Sequence, residues 1–132
     1  MLDLAATDAI VSYLCENHYE ISDLVIDKAE LLFKLLSGYS VIEKVFGAIA
    51  IINPVDITLI PQGPLLLYLI VDKEMRGRGI GTELLNLVIK NYSHYPPLKL
   101  MCKGNQRVQF YEKRGFKVIN TSGQNFLMQA NH

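Results

Sequence analysis

A chain of 132 residues, half of them hydrophobic, is long enough to bury one core and too apolar to remain disordered. Its 13 Lys and Arg side chains balance 13 Asp and Glu, so it lacks the basic excess of a dedicated nucleic-acid binder. No apolar run reaches membrane-spanning length, no basic-then-apolar segment opens the chain, and two cysteines, Cys15 and Cys102, make no disulfide framework.

These features read as one soluble, cytoplasmic domain over residues 1–132, working without nucleic acid or membrane as partner. Leu2 to Leu4 reads as a short strand. Thr7 reads as a helix N-cap, with Ile10, Val11 and Leu14 forming an apolar stripe behind it. Asp23 opens a second helix whose Val25, Ala29, Leu32, Phe33 and Leu36 share a face, and Gly38 stops it. Tyr39 to Ile52 is strand-like, with Glu43-Lys44 as the hairpin tip and Asn53-Pro54 as the break. Val55 to Ile60 fits either a short strand or a packed loop, and Pro61-Gln62-Gly63-Pro64 is a turn. Leu65 to Val71 is apolar at nearly every position, as a strand covered on both faces would be.

A helix starting near Gly81 follows, with Leu84, Leu85, Val88 and Tyr92 on one side, and it ends before Pro96-Pro97. Leu98 to Cys102 is a short strand. Gly104 or Asn105 opens a short helix that Gly115 closes, and Phe116–Asn120 with Asn125–Gln129 makes a hairpin around Ser122-Gly123. Helices alternating with strands, together with hairpins, imply a mixed α/β sheet with helices on both faces.

The stretch Arg76-Gly77-Arg78-Gly79-Ile80-Gly81-Thr82 lies between the apolar strand and the helix after it. Strand, glycine turn and helix start in that order make an anion cradle. Glycines permit close backbone approach, free N–H groups converge at the helix start, and arginines suit phosphate oxygens. No Gly-Lys-Ser/Thr closes the turn, so it is not a nucleotide-hydrolase phosphate loop. Its place past the middle of a short chain leaves no room for a dinucleotide fold. A merely structural turn is the bland alternative, and two arginines flanking glycines argue against it.

His18, His94 and His132 lack metal-ligand spacing, and no metal is expected. Cys102 reads as a buried structural thiol. In Phe110-Tyr111-Glu112-Lys113-Arg114-Gly115-Phe116, the residues taken singly read as core (Phe110, Phe116), helix stop (Gly115) and a solvated face (Glu112 to Arg114).

Together the two segments resemble the GNAT superfamily of acyl-CoA-dependent N-acetyltransferases. Arg76-x-x-Gly79-x-Gly81 matches its Arg/Gln-x-x-Gly-x-Gly/Ala signature behind the strand Leu67–Asp72, and the second segment matches its Asn…Phe-Tyr-Glu-Lys-x-Gly-Phe pattern. The resemblance runs closely from Leu65 to Phe116. It implies the GNAT fold, a central mixed, mostly antiparallel sheet flanked by helices on both faces. It also implies acetyl-CoA as co-substrate and a small-molecule, peptide or protein amine as acceptor, in a monomer or homodimer.

The resemblance further implies residue roles. The backbone of Leu69, Ile70 and Val71 would pair with the pantetheine arm. The N–H groups of Gly77, Arg78, Gly79, Ile80, Gly81 and Thr82 would hold the pyrophosphate, with the Arg76 and Arg78 side chains nearby. Asn105 and Phe110 would border the cofactor, and Tyr111 would protonate the leaving thiolate.

Three departures stand out. The family's asparagine falls one position earlier, at Gly104, so Asn105 is displaced. Lys99 occupies the place of a glutamate base found in some relatives that modify protein N-termini. Leu65 to Val71 carries no acidic residue, and Tyr68 is its one polar side chain. The base is thus ordered water or a distant carboxylate such as Glu43 or Asp56. A short N-terminal portion would leave the acceptor groove open, as for a peptide.

Overall fold

The apolar run at Leu65 takes the position such a run demands, the interior of a six-stranded sheet. The computed structural model describes residues 3–17 and 27–131. Its strands are β1 (Val41–Val45), β2 (Ala48–Asp56), β3 (Gly63–Val71), β4 (Lys99–Lys103), β5 (Phe116–Ser122) and β6 (Asn125–Ala130). They lie in the order β1-β2-β3-β4-β6-β5, antiparallel throughout except at the central β3–β4 pair. The helices are α1 (Leu4–Asn17), α2 (Lys28–Ser37), α3 (Ile80–Asn91) and α4 (Asn105–Glu112). The mixed, mostly antiparallel sheet with helices on both faces is the expected α/β architecture.

Two cores explain the layering. On one face Leu84, Leu85 and Val88 of α3 and Val108 of α4 pack with Ala50, Ile52, Leu66, Leu100 and Met128. On the other, Val11 and Leu14 of α1 and Leu31 and Leu35 of α2 pack with Ile51 and Ile70. Each fully buried aliphatic side chain contributes roughly 1.5–3 kcal/mol, so this burial, more than intrinsic propensity, holds the short helices in place.

Several expectations need correction. Leu4 begins α1 rather than ending a strand, and the cap is Asp3, whose carboxylate accepts the Ala6 N–H at 2.7 Å. Thr7 sits inside the helix, buried, with its hydroxyl donating to the Asp3 carbonyl at 2.7 Å. The proposed opening of the second helix at Asp23, with Val25, lies outside the described residues. Within them, Asp27 caps α2 by accepting the Glu30 N–H at 3.1 Å, and Gly38 ends it in the left-handed region as anticipated. The buried stripe of α2 is Leu31 and Leu35, and Phe33 is exposed. Those leucines are one helical turn apart, which the longer reading from Asp23 had put out of phase.

The first hairpin turns at Phe46-Gly47, and Glu43-Lys44 pair within β1 instead. Only a glycine meets the requirement there, since Gly47 has φ +90° and an added Cβ would lie 2.8 Å from the Met75 sulfur. Asn53-Pro54 does not break β2. Pro54 lies where the β2–β3 register is irregular and no longer paired to β1, so its missing N–H costs no ladder bond. Buried Asn53 accepts from the Ser40 hydroxyl and donates to Asp56 at 2.9 Å, carrying the strand onward. Val55 thus belongs to β2, and Gly63-Pro64 already belongs to β3 rather than to a turn.

Candidate functional site

β3 and β4 pair only at Leu65–Lys99 and Leu66–Leu100 and then part. A register shift in the β2–β3 ladder falls at Leu67, beside that divergence. A bulge there increases local twist and swings the rest of β3 away from β4. The edge of Leu67–Val71 that faces β4 therefore has no strand beside it. A cavity of about 610 Å³ fills the gap, walled by β3, β4, the glycine turn and α4. Edge groups of this kind pair with an extended ligand laid alongside as an added strand.

The glycine turn closes one end. Gly77 and Gly79 have φ of +81° and +77°, and apart from their chain neighbours no atom lies within 4 Å of where a Cβ would be at either. Gly79 is the N-cap of α3 and offers no side chain to the Ile80, Gly81 and Thr82 N–H groups. Those donors have no partner within the helix and carry its positive dipole end. Gly77, Gly79, Ile80, Gly81 and Thr82 all line the cavity, as expected, whereas the Arg78 side chain is exposed and lies off the lining.

Arg76 lines the cavity too, but its guanidinium serves the main chain. Nε donates to the Val71 carbonyl at 3.2 Å, and Nη2 donates to the Asn17 carbonyl. Asn17, buried at the end of α1, accepts the Lys73 N–H on its own side chain at 3.0 Å. Arg76 thus locks the turn to β3 and α1.

The opposite wall is α4. Tyr111 and Phe110 line the cavity, with rings edge-on at a centroid distance of 5.1 Å; Tyr111 also meets Phe116 at 5.7 Å. Leu69, Ile70 and Val71 are brought opposite them on β3. Asn105 is not brought in. It is exposed at the first turn of α4 and off the lining, while the cap position belongs to Gly104, as the one-residue displacement in sequence foreshadowed. Gln106 and Arg107 line the cavity in its place.

Arg114, which the sequence assigns to a solvated face, is part of the wall. Its guanidinium lies 3.7 Å from the Phe110 ring centroid and donates to the Phe110 carbonyl at 2.6 Å. Arg114 lies just past the end of α4, in the turn that follows Glu112, and folds back over Phe110 four residues earlier.

The electrostatics are one-sided. Arg76, Arg107 and Arg114 line the cavity, and among the described residues no Asp, Glu or His does. Glu43 instead accepts from Asn91 at 3.1 Å. Asp56 is enclosed by Asn53 and Thr58; burial alone would raise its carboxyl pKa, but hydrogen bonds from Thr58 and Asn53 outweigh this and hold it below the ordinary value. Burial raises the Tyr68 phenol, with Lys34 opposing and Glu30 adding, and raises the Cys102 thiol against an opposing pull from Arg107. Both groups keep their protons at neutral pH, so neither is a base or a ready nucleophile.

A family profile described as "Acetyltransferase (GNAT) domain" matches residues 36–118. A search of curated proteins finds no match. Among solved structures, PH1933 from Pyrococcus horikoshii OT3 superposes with a TM-score of 0.71 at 18% identity, over 100% of this chain and 94% of that one. The PaiA N-acetyltransferase from Thermoplasma acidophilum, in complex with coenzyme A, gives 0.69 at 16%, covering 99% and 96%. The ribosomal-protein-S18-alanine N-acetyltransferase from Escherichia coli gives 0.71 at 16%, covering 98% and 89%.

Proposed function

Because this chain belongs to the GNAT acetyltransferase family, we propose that it moves an acetyl group from acetyl-CoA to a primary amine by direct attack. The observation carrying this reading is the β3–β4 cleft, with an uncapped helix start at one end and Tyr111 in its wall. The unpaired edge of Leu69–Val71 suits the amide-bearing pantetheine arm. The N–H groups of Ile80, Gly81 and Thr82, with arginines around them, suit the pyrophosphate. The similarity in fold to a coenzyme A complex supports the same cofactor here.

In the step itself the amine lone pair attacks the thioester carbonyl carbon, and a main-chain N–H of β3 polarises the carbonyl oxygen. The C–S bond then breaks. The departing thiolate takes the Tyr111 proton, the nitrogen releases its own proton to water, since the described lining residues include no carboxylate or imidazole, and solvent returns a proton to the Tyr111 phenolate. The acceptor class includes small amines and peptide N-termini; the ribosomal-protein enzyme among the similar folds acts on a protein alanine.

The lack of a carboxylate or imidazole among the described lining residues favours a second reading, a non-catalytic acyl-CoA-binding or regulatory module on the same fold. Two measurements decide. Isothermal titration should show CoA binding to wild type and a loss of roughly tenfold or more in Gly79→Val, which puts a β-branched residue at a positive φ and blocks the approach to the turn. Equal binding by both removes the site. Thiol release from acetyl-CoA across a panel of amines should exceed the protein-free rate; release no faster than that, with CoA bound, selects the regulatory module.

A further inference from the structure

We infer that Arg114 is the positioning residue of the anion site at the start of α3, acting through the hydroxyl of Thr82. The inference rests on the cofactor reading above.

The geometry is specific. Arg114 Nε donates to Thr82 Oγ1 at 3.0 Å, and Nη2 donates to the same oxygen at 2.8 Å. A hydroxyl has two acceptor lone pairs and one proton to give. Both bonds come from one guanidinium fork, so the acceptor side of the Thr82 hydroxyl is turned to Arg114 and its proton is directed elsewhere. Among the described residues nothing accepts that proton. Thr82 is the third residue of α3 and lines the cavity beside the free N–H groups. The arrangement therefore adds a side-chain donor to the backbone donors at the helix start.

Arg114 is itself fixed from the far side of the cavity. Nη1 donates to the Phe110 carbonyl at 2.6 Å, and the guanidinium carbon lies over the Phe110 ring, 3.7 Å from its centroid. It thus ties the end of α4, which carries Tyr111, to the start of α3, and brings a permanent positive charge to the anion site. Polarisation by that charge strengthens the donor it aligns. Arg76, whose place in the family signature points to the phosphate, is held by the Val71 and Asn17 carbonyls. Arg114 supplies the charge on the other side of the helix start.

The test is a double-mutant cycle read by titration with CoA, with thermal midpoints taken in parallel. Thr82→Val keeps shape and removes the hydroxyl; Arg114→Gln removes the fork and the charge; Thr82→Ser restores the hydroxyl. Thr82→Val and Arg114→Gln should each weaken CoA binding about tenfold. The double variant should be little weaker than Arg114→Gln alone, because the two act as one unit. Thr82→Ser should bind within about twofold of wild type. A packing role would instead lower the midpoint of Arg114→Gln and leave Thr82→Val with wild-type affinity; that result, or losses that simply multiply, overturns the inference. Wild type failing to bind CoA would remove the cofactor reading as well, an outcome distinct from wild type binding and the variants matching it.

Discussion

Arg76 turns back on its own strand, donating from Nε to the carbonyl of Val71 at 3.2 Å, and reaches the last carbonyl of α1 at Asn17 with Nη2. The first residue of the glycine signature is thereby a structural clamp between the turn, the cofactor strand and the first helix.

Arg76→Ala should accordingly destabilise the fold by about 1.5–3 kcal/mol, the usual scale for hydrogen bonds from a charged donor. Denaturant unfolding checks this. The part of any CoA-affinity loss that comes from a loosened turn should persist at high salt. A variant as stable as wild type that loses affinity only at low salt would return Arg76 to the role of phosphate ligand.

Arg78→Ala should behave in the opposite way. The side chain is exposed and makes no described hydrogen bond, so the melting midpoint should stay put. Its charge still lies beside the helix start. CoA affinity should fall by less than about 1 kcal/mol at low salt, and the difference should fade as the screening length shortens. Titrations at two ionic strengths decide, and a salt-independent loss would show direct contact.

Much of this was legible in the sequence because it depends on local chemistry. Glycines bracketing Arg78 announced a turn that needs positive φ, and an unbroken apolar run from Leu65 announced a strand covered on both faces. What was not legible depends on tertiary contacts. Nothing near Arg76 in sequence shows that Asn17 will lie beside it, nor that Thr82 will face Arg114. Glu43 reads as a possible base in the sequence only because its partner, Asn91, comes beside it on folding. The hairpin tip was misplaced because polar Glu43-Lys44 look turn-like, although they pair across to Ala50 and Ile49; Gly47 was the stronger signal.

Asp56 gives a pH-dependent stability. Burial alone would raise its carboxyl, but the hydrogen bonds from Thr58 and Asn53 together outweigh it and hold the group below the ordinary value of 3.8 in the folded state. A depressed carboxyl pKa contributes stability that is present above the unfolded value and lost as pH falls through the folded value. Asp56→Asn should therefore melt below wild type at pH 7, with the gap narrowing as pH falls through the carboxylate range and below the ordinary carboxyl value. Thermal midpoints of both proteins across that range provide the check. A gap independent of pH would mean that ionised Asp56 contributes nothing beyond its shape.

Tyr111→Phe isolates the chemistry. The substitution removes only the hydroxyl and keeps the ring that sits edge-on to Phe110 and Phe116, so core packing should survive and the melting midpoint should move little. CoA affinity should also hold, because the donors proposed for the pyrophosphate lie on the glycine turn and α3. A phenol carries its proton at neutral pH and is suited to give it to a departing thiolate. If that transfer lies in the rate-limiting step, turnover should drop by roughly 10²–10⁴-fold, the range for a positioned general acid. The opposing account makes Tyr111 a packing residue whose hydroxyl is bonded within the fold. It predicts a lowered midpoint with turnover intact. Both quantities are measured on one preparation, with stopped-flow thiol release following an acceptor already shown to react. A variant that melts early and turns over normally would assign the proton to water and leave Tyr111 as part of the wall.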